Sequence, residues 1–125
     1  MKACFSLVAL AALLTGCSTT RLTNLTPERF PRNVANLYPF EVAWESKRRG
    51  VDANIGAYVL INDQVFPMNP VPKAKNRWEA QITIPPDKTL VPYRYKFVYQ
   101  YPGVVTTAKR NSNLSQSYRL TISER

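Results

Sequence analysis

Chemistry in this chain is limited first by its residue types. None of the 125 residues is a histidine, which removes the commonest general base, the usual transition-metal ligand and the usual triad partner. Paired carboxylates are the remaining route to acid–base catalysis, since two of them suffice for glycoside hydrolysis. The acids are Glu28, Glu41, Glu45, Asp52, Asp63, Glu79, Asp87 and Glu124. Glu41, Glu45 and Glu79 take the polar positions of alternating segments, and Asp52, Asp63 and Asp87 stand among turn residues. No Asp-rich calcium loop is present, nor a Gly-rich phosphate loop, and four glycines in the whole chain leave little for a backbone cradle. The expectation is a protein with no catalytic residue, no metal and no cofactor. A carboxylate hydrolase is the enzymatic alternative.

The two cysteines are Cys4 and Cys17. Cys17 stands in a distinctive setting. Lys2 is a short basic start, and Phe5 to Leu14 is an apolar run too short to span a bilayer as a stop-transfer helix. Leu14-Thr15-Gly16-Cys17 follows, and then a polar stretch. This run resembles the lipobox of bacterial lipoproteins, with its aliphatic residue, small residue, Gly and Cys. The resemblance implies that the Cys17 thiol takes a diacylglycerol, that residues 1–16 are removed as a signal peptide, and that the new amine is acylated. An ordinary secretory signal cut at a small-residue site is the other reading. Two or three acyl chains, at about 0.8 kcal/mol per buried methylene, hold a protein durably where one chain does not. Ser18 rather than Asp after the Cys leans, by the enteric sorting rule, towards the outer membrane. With Cys4 removed and Cys17 lipidated, no thiol remains for a disulfide or a metal site.

The precursor carries a formal charge of +9. Its cations cluster at Lys47-Arg48-Arg49, Lys73-Lys75-Arg77 and Lys109-Arg110. Such a balance draws a cell-envelope protein to anionic lipid, acidic glycan or an acidic partner, or serves as solubility charge spread over the surface. A lipid anchor keeps the domain away from nucleic acid, which is not expected as a partner. The N-x-S/T triplets at Asn24 and Asn113 are read as chance.

These residues need elements to hold them, and the pattern is one of strands. LYPFEVAWES alternates with Phe40, Val42 and Trp44 on one face. IGAYVLIN sets Ala57, Val59 and Ile61 against Tyr58 and Leu60, and Asn62-Asp63 turns into QVFPM. RWEAQITI points Trp78, Ala80, Ile82 and Ile84 one way. Pro85 and Pro86 stop that strand, having no ladder donor. VVTTA reads as a short strand, KRNSN as a polar turn, and SQSYRLTI as a closing strand with Tyr118, Leu120 and Ile122 inward. Arg21 to Leu25 is a short first strand with Leu22 and Leu25 reaching towards the domain. The spacing predicts an all-β protein, an immunoglobulin-like antiparallel β-sandwich of about seven or eight strands, with an open barrel as the alternative. Residues 1–16 are the signal, 17–33 a lipidated tether with the first short strand, and 34–125 the sandwich domain. Trp44 and Trp78 fall on inward faces and read as core, where an indole N–H commonly finds one partner.

PYRYKFVYQYP, from Pro92 to Pro102, puts Tyr93, Tyr95, Phe97, Tyr99 and Tyr101 on one face. Rings two residues apart are about 6.8 Å apart along a strand, so five span about 27 Å, more than a typical core strand. The middle rings, Tyr95 to Tyr99, are expected in the core, and Tyr93 and Tyr101 at the rim with wet hydroxyls. One early tyrosine is a candidate for a tyrosine corner, its hydroxyl bonding to backbone. The alternative is a platform of rings that stacks on sugars. The opposite face, with Arg94, Lys96, Val98 and Gln100, reads as solvent-facing. The hairpin from Arg77 to Gly103 is similar to the central hairpin of starch- and glycogen-binding modules and their relatives, through Trp78 to Ile84 and the triplet Tyr95-Lys96-Phe97. The similarity implies a sandwich fold and a sugar contact for Lys96. The sugar-stacking tryptophans of those modules have no counterpart in INDQVFPM or YQYPGVV.

The expectation is thus a lipid-anchored, non-catalytic protein of the bacterial cell envelope, held to the membrane by Cys17, whose sandwich binds or scaffolds another envelope protein. The alternative is a module for glycan or anionic polymer, with Lys96, Tyr101, Tyr93, Lys47, Arg48 and Arg49 as candidate ligand contacts. Radioactive palmitate supplied to cells should label the wild-type chain and leave Cys17→Ser unlabelled; an unlabelled wild type beside a labelled control lipoprotein removes the anchor.

Overall fold

The computed structural model describes residues 20–46, 55–100 and 110–124. They form ten strands in chain order: β1 Thr20–Asn24, β2 Arg29–Pro31, β3 Leu37–Ser46, β4 Gly56–Ile61, β5 Gln64–Pro67, β6 Asn69–Pro70, β7 Arg77–Thr83, β8 Leu90–Gln100, β9 Arg110–Leu114 and β10 Tyr118–Ser123. One sheet has the order β1-β3-β7-β6. The other has β2-β10-β8-β4-β5, with β9 also on β8. All pairs are antiparallel except β2 with β10, which is parallel. The protein is an all-β sandwich. Its strand number exceeds the expected seven or eight because the sequence pattern predicts no strand at β2, β6 or β9: β2 and β6 are too short to show alternation, and β9 is polar throughout most of its length.

Alternation decides which side chains meet between the sheets. From β3 these are Tyr38, Phe40, Val42 and Trp44; from β7, Trp78, Ala80 and Ile82; from β4, Ala57, Val59 and Ile61; from β8, Val91, Tyr93, Tyr95, Phe97 and Tyr99; from β10, Leu120 and Ile122. Rings fill the middle: Trp44 stacks on Phe97 with centroids 5.0 Å apart, and Trp78 meets Phe97 edge-on at 5.3 Å. The Trp44 indole N–H is buried without a hydrogen-bond partner among the described residues, contrary to the usual habit of a core tryptophan. β4 and β5 turn over Asn62-Asp63 as expected, with Asn62 at φ 56°, a left-handed conformation that Asn tolerates better than most residues.

β8 departs from the expected division of its rings at one end. Tyr93 is 2 % exposed, not at a wet rim. Its ring stands edge-on to Phe40 at 5.0 Å and stacks on Tyr118 at 5.7 Å. The core is longer than a typical one because β3 runs for ten residues and β10 continues alongside the first part of β8. Tyr95, Phe97 and Tyr99 are buried as expected, which places the rings in the core and not on a platform. Tyr101 lies outside the described residues, as does the VVTTA segment.

KRNSN is also corrected. Arg110 to Leu114 is strand β9, paired with Lys96 to Gln100. Between Lys96↔Leu114 and Tyr93↔Tyr118, two residues of β8 face Ser115, Gln116 and Ser117. This is a β-bulge. Ser115 holds it: its N–H donates to the Tyr95 carbonyl at 2.9 Å, and its Oγ accepts from the Tyr95 N–H at 2.8 Å. The extra residue reverses parity, so Asn113 shares the inward face with Phe97 while Leu114 stands outside, 51 % exposed. Asn113 Nδ2 donates to Thr20 Oγ1 of the other sheet at 3.1 Å.

The first strand is tied in by polar groups. Leu22 packs partly against the core, but Leu25 points out and Thr26 is buried in its place. The Tyr95 hydroxyl donates to Asn24 Oδ1 at 2.6 Å and lies 2.7 Å from Thr26 Oγ1 and 3.1 Å from the Glu41 carbonyl. Thr26 Oγ1 accepts from the Glu41 N–H at 2.9 Å, and Asn24 Nδ2 donates to the Tyr93 hydroxyl at 2.8 Å. Tyr95 therefore plays the corner role expected of an early tyrosine, clasping β1, β3 and the turn after β1.

Burial raises the pKa of Tyr95 and of Tyr93 above the ordinary tyrosine value of 10.0, because it disfavours the phenolate. The unfolded chain then loses these protons near pH 10 while the folded chain keeps them. Stability should be complete below pH 10 and fall as pH rises above it. Tyr95→Phe should cost about 1–3 kcal/mol at neutral pH, by stranding Asn24 and Thr26, and should flatten the alkaline loss. Denaturant melts of both proteins between pH 8 and pH 11 read both effects.

Candidate functional site

β8 has a second face, and it is the one that meets solvent. Ladder partners share a face, with Cβ atoms about 4.5–5.5 Å apart. The row through Lys96 is therefore Pro67, Tyr58, Lys96 and Leu114, taken from β5, β4, β8 and β9. The row beside it is Val65, Leu60 and Arg94. Towards β10 and β2 the same face carries Arg119 opposite Pro92, and Thr121 between Leu90 and Arg29.

Two properties set this face apart. The first is exposed apolar area: Val65 is 59 % exposed, Leu114 51 % and Leu90 47 %. The second is uncompensated charge. Arg29, Arg94, Lys96 and Arg119 all point outward, and none is in an ion pair among the described residues, whose salt bridges are Arg32–Glu124 and Arg77–Glu41. No strand position of the face holds a carboxylate. The outer face of the other sheet is mixed: Arg77 pairs with Glu41, Arg21 lies opposite Glu45, and Glu79 stands beside them. Cations gathered on one side project a positive potential; interspersed with acids they largely cancel.

Lys96 is half-buried at the centre of its row. Tyr58, its neighbour, reaches back along β4 over Gly56: a β-carbon at Gly56 would lie 3.1 Å from the Tyr58 hydroxyl. Gly56 thus gives the ring its place on the face. A shallow hollow of about 270 Å³ opens next to Leu60, Arg94 and Leu114.

A second opening lies at one end of the sandwich. It is a cleft of about 450 Å³ whose apolar walls include Ile61, Phe66, Ile84 and Leu90, with Asp63 and Lys88 among its polar residues. The other end is where Thr20 pairs with Ser46 and Gln100 with Arg110. The two ends are separated by the length of β3, about 30 Å for ten residues.

Of the sequence-derived candidates, Lys96 is on the cationic face. Tyr93 is buried, and its hydroxyl is held by Asn24. Lys47, Arg48, Arg49, Tyr101 and Cys17 lie outside the described residues. Sequence reasoning placed Arg94 on the solvent side without a role, and passed over Arg29, Arg119 and Tyr58. Alternation assigned Tyr58 to the outer side of β4, but only the register puts it beside Lys96. Among the described acids Glu41 and Glu79 are ladder partners on the outer face of the other sheet, with Glu41 paired to Arg77 and Glu79 exposed, while Glu45 and Asp63 are exposed as well.

Comparison with known proteins finds no matching family model, no similar characterised protein and no similar solved structure. The assignment of function therefore rests on the chain itself.

Arg94→Glu and Lys96→Glu should each leave the free energy of unfolding within about 0.5 kcal/mol of wild type, as expected of surface positions without a structural partner. Urea denaturation checks this. A loss of several kcal/mol in either variant would place the residue in the scaffold.

Proposed function

We propose that the protein is a non-catalytic, lipid-anchored binding protein of the bacterial cell envelope, and that the outer face of the β2-β10-β8-β4-β5 sheet holds an acidic envelope protein. One observation carries this reading: four cations with no ion-pair partner among the described residues and three exposed aliphatic side chains share a face with no carboxylate at any described strand position. Apolar side chains with Arg and Tyr are the composition of protein interfaces, and the positive potential speeds encounter with an acidic surface.

The anchor supports the same reading by where it leaves the chain. Cys17 is three residues before Thr20, so at most about 11 Å of extended chain separates the lipid from the sandwich. A tether that short sets the Thr20 end against the membrane and turns the far end outward. The sheet face runs between the two, open to a neighbour standing in the same membrane. Outer membrane is the location favoured by Ser18.

A second reading is a glycan or anionic polymer on the same face. It is favoured by Lys96 lying directly across from Tyr58, a cation beside an aromatic ring.

Crosslinking in intact cells from a photoreactive residue at Leu114 tests the choice. Capture of an acidic envelope protein, lost in the Arg94→Glu/Lys96→Glu double variant, is the expected result. Binding of purified protein to acidic polysaccharide, lost in the same variant, turns the assignment to the second reading. Capture and binding both unchanged by the charge reversals remove the face from the function.

A further inference from the structure

The cleft at the far end owes its shape to a strand that changes sheets. β5 pairs with β4 as far as Pro67. Met68 is buried, and its N–H donates to the Ala57 carbonyl at 2.9 Å. The next two residues are β6, which belongs to the opposite sheet and covers β7 only at Trp78 and Glu79. β3 covers the other side of β7 along its whole length.

Backbone groups on a strand point alternately to its two sides. Ile84 N–H donates to Asn36 on the β3 side, and the Arg77 carbonyl accepts from Val71 N–H on the β6 side. The N–H and C=O of Gln81 and Thr83 therefore point the way Arg77 does, past the end of β6. No strand pairs with them among the described residues. Thr83 lines the cleft together with Ile61, Phe66 and Ile84, and Gln81 continues the same free edge two residues back along β7. An unpaired strand edge above an apolar floor is a template for one more strand.

We propose that this cleft takes an extended segment of a partner protein, laid against Gln81–Thr83 as an added strand with alternate apolar side chains between the sheets. Main-chain hydrogen bonds to Gln81 and Thr83 would hold it, and the floor would select every second side chain. The ionisable side chains at the rim, Asp63 and Lys88, are one of each sign, so the occupant needs no net charge. That separates it from the acidic partner of the cationic face.

The stretches 47–54 and 101–109 leave and rejoin the sandwich at its opposite end, about 30 Å away. A segment of that length that must return extends about 16 Å at most. The exclusion of residues before Thr20 rests on the anchored reading, which leaves only a short link to Cys17. Neither of these stretches, nor on that reading the N-terminal link, brings the strand.

The test uses the full-length chain in detergent micelles and a synthetic octapeptide of alternating valine and threonine with one terminal Lys and one terminal Glu. Amide exchange is followed by NMR as peptide is added. Gln81 and Thr83 should exchange about tenfold more slowly in the complex. Gln81→Pro removes one free donor without touching the β3 ladder; it should weaken binding about tenfold or more while keeping its unfolding midpoint. Arg94→Glu/Lys96→Glu should bind the peptide as wild type does. Unchanged exchange at Gln81 and Thr83 with millimolar peptide overturns the proposal, and if Gln81→Pro fails to fold this measurement on wild type decides alone. Protection that grows with protein concentration and no peptide also overturns it, by making a second copy the occupant. None of these outcomes bears on the cationic face, whose crosslinking result stands apart.

Discussion

The Tyr95 hydroxyl is the group on which the rest depends. It sits inside an apolar sandwich, where an unmatched polar group costs several times what a matched one contributes. Its position is tolerable only because Asn24, Thr26 and the Glu41 backbone converge on it. Those partners come from β1, from the turn after it and from β3, so one phenol joins the first strand to both sheets. Tyr93 extends the arrangement through Asn24. Burial disfavours the phenolate of either ring and so keeps both protonated at neutral pH.

Fixing Tyr95 fixes β8, and β8 sorts the molecule. Its odd residues, from Val91 to Tyr99, build the core; its even ones build the outer face with Arg94 and Lys96. The Ser115 bulge lies opposite Tyr95 itself. It lets β9 and β10 run along the same edge of β8 while reversing which side chains point in. Without it Leu114 would face the core and Asn113 solvent; with it, Leu114 joins the row of Lys96 and Tyr58, and Asn113 links the sheets at Thr20.

The same economy of strands makes the distal cleft. Met68 commits its N–H to β4, so the strand that might have covered Gln81 and Thr83 serves the other sheet until Asn69. The two proposed binding surfaces thus share one small scaffold, one selecting by charge and the other by backbone and apolar fit.

What the sequence by itself determined is what alternation, turn chemistry and residue type can carry. The inward sets Phe40-Val42-Trp44, Ala57-Val59-Ile61 and Trp78-Ala80-Ile82-Ile84 were legible because side-chain period is local, and so was the Asn62-Asp63 turn. Lys96 was found on the solvent side by the same rule. The tertiary structure alone decided matters of register and pairing. Tyr93 is buried because β3 and β10 lengthen the core beneath it, and Arg110 to Leu114 is a strand because β8 offers an edge to polar residues that show no alternation of their own. Arg29, Arg94, Lys96 and Arg119 are scattered over some ninety residues of chain, and only the sheet order β2-β10-β8 brings them to one face. The physical reason is the reach of each rule: burial period is set by neighbours in sequence, whereas the sharing of a face is set by hydrogen bonds between strands far apart in the chain.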